Sequence, residues 1–269
     1  MPTITLTPHT DDAPTPRVDV LLQSLDPACV TVTVYQLSGS VKFPVRDATR
    51  LTVSGAAAFV VDYEVPLGQQ VSYQAMQYTA AGVEIGLTPA AATRVDLADP
   101  SLVIIQDPLA PSRSVRVEAK AGFGQEYARQ RDAGIVRRGA QTVALLGEMG
   151  LGESIPLAVQ TKTPVDADAL ADVLEVGDVL VRSMPGSHLL PPLLYCAVPK
   201  VTPLGVDLNI GGAWISWPLQ AHEVTRTTLG VIEPVVTYAR FKAVYATYAA
   251  AKAVYSTYME AKRNPPPEV

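Results

Sequence analysis

The side chains that do chemistry in most enzymes are scarce here, and where they occur they do not gather. Three histidines are present, His9, His188 and His222, with no mutual spacing that suggests a zinc site. His188 lies in a loop bounded by proline and glycine, and His222 lies at the end of a strand pattern. Solvent or a local hydrogen bond suits each better than a role as general base. Asp166, Asp168 and Asp172 belong to one short helical pattern, where they read as dipole partners and solvated face and not as a paired acid and base. Gly147-Glu-Met-Gly-Leu-Gly-Glu153 is rich in glycine but lacks the Lys-Ser/Thr of a P-loop and the strand-to-helix setting of a dinucleotide fingerprint. It reads as a hairpin turn. No Gly-x-Ser-x-Gly elbow occurs. The expectation is a chain with no catalytic, metal or cofactor-binding residues, and not an enzyme.

Repetition takes the place of a catalytic constellation. Thr237-Tyr-Ala-Arg-Phe-Lys-Ala-Val-Tyr-Ala246 is followed by Thr247-Tyr-Ala-Ala-Ala-Lys-Ala-Val-Tyr-Ser256, and Thr257-Tyr-Met-Glu-Ala-Lys262 begins a third copy. A repeated unit builds length and contact surface, whereas an active site needs singular residues. Ala, Lys, Met and Glu favour helix, each unit opens with an N-capping Thr, and Thr257 with Glu260 has the capping-box spacing. One continuous helix from Val235 to Arg263 would run about 40 Å, but ten residues fall about 80° short of three full turns. Its tyrosines would therefore spiral instead of forming one stripe. Short helical turns restarted at Thr247 and Thr257 fit the phase of the Thr better. Either geometry offers Tyr238, Phe241, Tyr245, Tyr248, Tyr255 and Tyr258 as subunit-interface residues, since Tyr is favoured in interfaces. A single amphipathic helix folded back on its own domain is the plainer alternative. Asn264-Pro-Pro-Pro-Glu-Val269 ends any helix.

Composition bounds the rest. The chain has 269 residues, 48% hydrophobic and only 17% charged, with 23 prolines, which suits β-rich domains whose surfaces meet other subunits. A net charge of −5 argues against nucleic-acid binding. No apolar run reaches membrane-spanning length, and the Thr- and Pro-rich amino terminus does not read as a signal peptide, so the expectation is synthesis in a cytoplasm. Cys29 and Cys196 lie far apart and are expected to be free, buried thiols.

The elements that would carry these features fall into three parts. Residues 1–98 read as an immunoglobulin- or fibronectin-like β-sandwich of six or seven short strands, among them 30–35, 50–54, 58–63, 71–78 and 83–85. Tyr73 and Tyr78, after the Pro66-Leu-Gly68 turn, have the spacing of a fibronectin type III penultimate strand, while the Cys…Trp…Cys signature of an immunoglobulin domain is missing. Residues 99–228 read as a second β-domain, with strands at 114–120, 153–161, 178–182, 193–198 and 213–220. A helix at 166–175 covers one sheet face, and Gly122 to Gly139 forms a long polar loop. Trp214 and Trp217, three apart in a strand, should face opposite sides, one filling the core and the other an exposed anchor or sugar platform. Residues 229–269 form the helical extension.

Taken together, the decad of Thr-Tyr, Lys, Val and Tyr-Ala resembles the C-terminal repeats of minor tail proteins from bacteriophages of actinobacteria. The order of Ile155-Pro-Leu-Ala-Val-Gln-Thr161, the helix Ala167 to Leu174, Gly177-Asp-Val-Leu-Val-Arg182 and Tyr195-Cys-Ala-Val198 is similar to their middle domain. The resemblance covers residues 100–262. It implies a tail-tube or distal-tail fold for the middle domain, a β-sandwich or split barrel with one helix that assembles into rings. It further implies a structural virion protein of a long-tailed phage, at the tail tip, assembled in the host cytoplasm. Its partners would be copies of itself, in a hexameric or trimeric assembly, and other tail proteins. A host cell-wall or glycan-binding tail module is the alternative.

Overall fold

Nine short strands, rich in Val, Thr and Tyr and separated by glycine and proline turns, form the first part of the protein. The computed structural model describes residues 1–10, 15–39, 41–138, 141–186, 188–207, 211–229, 245 and 247–254. Contacts divide the chain into two compact units. Met1–Ala98 and Pro108–Arg113 belong to the first, and Asp99–Asp107 with Ser114–Thr227 make the second.

In the first unit, β1 (Thr3–His9), β2 (Arg17–Gln23) and β6 (Ala58–Asp62) form one antiparallel sheet. The other is built from β4 (Val41–Pro44), β3 (Thr31–Ser38), β7 (Gln70–Tyr78) and β8 (Glu84–Leu87), with β5 (Leu51–Thr52) on β3 and β9 (Ala91–Arg94) on β7. Alternate residues of β2, β3 and β7 are fully buried: Val18, Val20 and Leu22, then Val32 and Val34, then Val71, Tyr73 and Ala75. That is the period-2 pattern expected of strands with one face in a core. A polar tie joins the two sheets inside this core. Asp62 on β6 accepts hydrogen bonds at Oδ2 from Tyr73 Oη at 2.7 Å and from Gln36 Nε2, both on the opposite sheet. Residues 1–29 show little alternation in sequence, diluted as it is by Pro8 and Pro16. Pairing of β2 with the distant β6, and of β1 with β2, makes both strands all the same.

The second unit is a closed barrel. Its strands are β10 (Leu102–Gln106), β11 (Ser114–Ala119), β16 (Ile155–Thr161), β17 (Val179–Ser183), β18 (Leu193–Lys200) and β20 (Ile215–Glu223). They run β16-β11-β10-β17-β18-β20, and β20 pairs back onto β16, from Ile155 opposite Ala221 to Thr161 opposite Ile215. A two-residue strand, β19 (Leu204–Gly205), adds to β20. Val103, Ile105, Val117, Leu157, Val159, Val181, Trp217 and Leu219 fill the interior. Helix α1 (Pro164–Leu174) sends Ala167, Leu170, Val173 and Leu174 into the same core. Thr163 caps it, its side chain accepting from the Asp166 backbone N–H, with Pro164 at the first turn where no donor is needed. The helix thus joins the core of a closed barrel, where the sequence suggested a cover over one face of a sheet. The expected strand 153–161 is broken at Ser154, whose φ of 52° turns the chain between β15 (Gly152–Glu153) and β16.

Glycine-rich 122–139 is not a long loop. It contains β12 (Ala128–Arg129) and β13 (Ala133–Arg138), and β13 pairs with β14 (Gln141–Leu146) over six residue pairs. Gly147–Glu153 is correspondingly not a hairpin turn but the return strand path from β14 to β15, which pairs with β12. A loop reading follows naturally from its glycines and arginines, which interrupt the apolar alternation by which a strand is recognised. Beyond the barrel, helix α2 (Tyr248–Val254) is described, with the Thr247 hydroxyl accepting from the Ala250 N–H at 3.2 Å. No helix among the described residues is long and apolar enough to cross a membrane.

Both cysteines are free and buried, as expected. For the first unit, Tyr73→Phe removes a donor to a buried carboxylate. It should lower stability by about 1–3 kcal/mol without altering the fold, read from thermal or urea unfolding.

Candidate functional site

The sequence offered two groups of interaction residues, the Tyr decads and the tryptophan pair, and the fold adds a third feature that it did not foresee. Of the decad residues, Tyr248 opens α2 and Tyr245 is half-buried. Tyr238, Phe241, Tyr255 and Tyr258 lie outside the described residues. The described helix begins immediately after Thr247.

Trp217 and Trp214 separate as their spacing suggested. Trp217 sits in the barrel core at 3% exposure, its Nε1 donating to Thr161 Oγ1 at 3.0 Å. Trp214 precedes β20 and is 42% exposed. Its backbone is held by Asp207 Oδ1, which accepts the Trp214 N–H at 2.8 Å, and the Lys162 ammonium stands 5.6 Å from its ring centroid.

The unforeseen feature is an arm inserted between barrel strands β11 and β16. Strands β13 and β14 pair with each other and with no barrel strand. Leu145, Leu146, Met149 and Leu151 on its return path are exposed by 44 to 61%. Exposed apolar residues clustered along one segment make this arm a candidate interaction surface. Basic residues frame it: Arg137 is exposed, and Arg129 Nε donates to the Gly150 carbonyl at 2.7 Å.

One carboxylate clamps the base of this arm to the barrel. Glu223 Oε2, at the end of β20, accepts from the Tyr127 hydroxyl at 2.7 Å and from the Gly152 N–H at 2.6 Å. Gly152 admits no side chain there, since a Cβ would stand 2.6 Å from the Tyr127 ring and 2.9 Å from Ile155 Cδ1. Burial and the Glu223 carboxylate push the Tyr127 phenol up to about 12, and burial pushes the Cys196 thiol up to about 12 as well, with Asp178 and Glu223 adding to it.

The three histidines lie in separate local settings. His188 accepts the Leu190 N–H at Nδ1, and its Nε2 stands 2.7 Å from Ser183 Oγ and 3.0 Å from the Met184 carbonyl. Burial lowers its pKa, which keeps the ring neutral in this local network. His222 is exposed, and His9 Nε2 stands 3.2 Å from Asp19 Oδ2. Among the described residues no three His, Cys, Asp or Glu side chains are grouped so as to hold a metal ion.

Two measurements check this arrangement. Glu223→Ala leaves the Tyr127 hydroxyl and the Gly152 N–H without their acceptor, so amide exchange over 127–153 should accelerate about tenfold or more while barrel-core amides stay protected. Tyr127 and Cys196 stay protonated in the folded barrel where the unfolded chain ionises. Their contribution to stability is present below pH about 9 and is lost as pH rises towards 12. Tyr127→Phe should flatten the upper part of that decline in unfolding experiments across this range. Comparison with protein-family models, with curated proteins and with solved structures finds no match to this chain.

Proposed function

We propose that this protein is a structural subunit of a long, non-contractile bacteriophage tail, placed at the tail tip, where copies associate as a sixfold ring or a threefold assembly. The observation that carries the reading is the exposed apolar arm on a closed barrel, a surface that a solitary soluble domain has no use for. The barrel with one helix in its core suits the ring-forming domain that the decad resemblance implies. The first unit, with β1-β2-β6 on one sheet and β4-β3-β7-β8 on the other, suits a fibronectin-type module that precedes it in the chain. The Tyr decads supply a second contact, reaching neighbouring subunits through large rings that lose little entropy on binding.

The test is the solution mass of the full chain against a chain ending at Pro234. A defined oligomer that falls to monomer on truncation, with both units still folded by circular dichroism, is the expected result. Unchanged mass, or normal entry of the truncated chain into particles, would remove the decads from the interface.

A further inference from the structure

We propose that the outer face of the barrel around Trp214 is a binding site for a hydroxyl-rich saccharide. The strand register assembles it. Gln160 pairs with both Glu118 on β11 and Ser216 on β20, so these three share one face. Val117, Val159 and Trp217, their neighbours in sequence, point into the core, so the shared face is the outer one. Two residues further along the strands, Lys162 and Trp214 continue the same face, the ammonium 5.6 Å from the indole centroid. Lys162 and Glu118 form an ion pair across it.

Two independent observations point to a ligand. Trp214 is an exposed aromatic, a flat apolar surface with charged groups at its margin. That is the chemistry for stacking the C–H face of a sugar ring while hydroxyls reach the ion pair. Gln160 is 2% exposed, yet neither its amide nitrogen nor its oxygen has a hydrogen-bond partner among the described residues. A buried primary amide without partners is costly, and native structures rarely leave one so without a reason. A vicinal diol offers an acceptor and a donor side by side, the complement of that amide. The Lys162–Glu118 pair is partly exposed, with side-chain exposures of 47% and 27%, and pairs of this kind are weakly held. It can part to admit a hydroxyl. A peptide partner would satisfy the amide too, but it would call for an apolar surround. The groups around Trp214 on this face are instead a carboxylate, an ammonium, an amide and the Ser216 hydroxyl. This site stands apart from the decads and the arm, and holds whether or not the chain belongs to a tail.

The test is calorimetric titration of the full-length protein with a panel of neutral oligosaccharides of glucose, galactose, arabinose and N-acetylglucosamine. Tryptophan emission is followed in parallel, with Trp217 as the buried internal reference. Saturable binding of at least one member is expected, with a change in emission. Trp214→Ala should weaken it by about tenfold or more, Trp214→Phe should restore part of the loss, and Gln160→Leu should weaken it several-fold while the unfolding temperature holds or rises. Absence of binding by every member at millimolar concentration overturns the proposal, as does affinity unchanged in Trp214→Ala. Loss of self-association in Trp214→Ala with no saccharide bound also overturns it, and assigns the face to a neighbouring subunit. Since that mass measurement on full and truncated chains never involves this face, failure here and failure of the tail reading are distinguishable.

Discussion

The ladder between β16 and β20, seven residue pairs from Ile155–Ala221 to Thr161–Ile215, turns a sheet into a barrel. Without it β16 and β20 would be free edges, open to pairing with any extended chain. With it the inward residues of six strands enclose one core, into which α1 can insert its apolar stripe. The same ladder sets the position of everything on the surface of that unit. The arm leaves the barrel between β11 and β16, the Glu223 clamp stands at the far end of β20, and Trp214 stands just before its start. A slip of one residue between β16 and β20 would exchange Trp217 for a polar neighbour in the core and carry every one of these groups to the other face.

The polar groups buried in the two units do a different task. Asp62 holds Tyr73 and Gln36 across two sheets, and Glu223 holds Tyr127 and Gly152 across an insertion. Each carboxylate is an acceptor that hydrophobic packing cannot replace without leaving a donor stranded, so each fixes which segments meet. In the arm this matters more than stability. Its base is held by the β12–β15 pairing and by the Glu223 clamp. An arm held at its base and apolar along its return path is suited to reach a neighbour and be ordered by it. That agrees with the tail-subunit reading and with the low overall charge.

Local patterning in the sequence made much of the fold legible. The alternation of Thr with Val over 31–35 and the run Ala58-Phe-Val-Val-Asp62 give strands wherever they are placed. The Thr-Pro start and apolar periodicity of 163–174 give a capped helix. Spacing alone separated Trp217 from Trp214, because period 2 in a strand forces residues three apart onto opposite faces. Strands β1, β2 and β10 were less legible: β1 pairs with β2 and β10 with β11 close by in the chain, but β2 and β10 complete their sheets only against the distant β6 and β17. The arm was misread because Gly134, Arg137 and Arg138 in β13 break the apolar alternation that marks a strand.

A β-rich protein with one packed helix, two free buried thiols and a repeated Tyr-bearing end follows from residue type and short-range spacing. Tertiary structure alone decided that the second sheet closes, that Glu223 meets Tyr127 from 96 residues away, and that an unpaired Gln160 lies on the same outer face as Trp214. The physical reason is the same in each case. Alternation tells which way a side chain points relative to its own strand, but pairing and register between distant strands decide which side chains it meets.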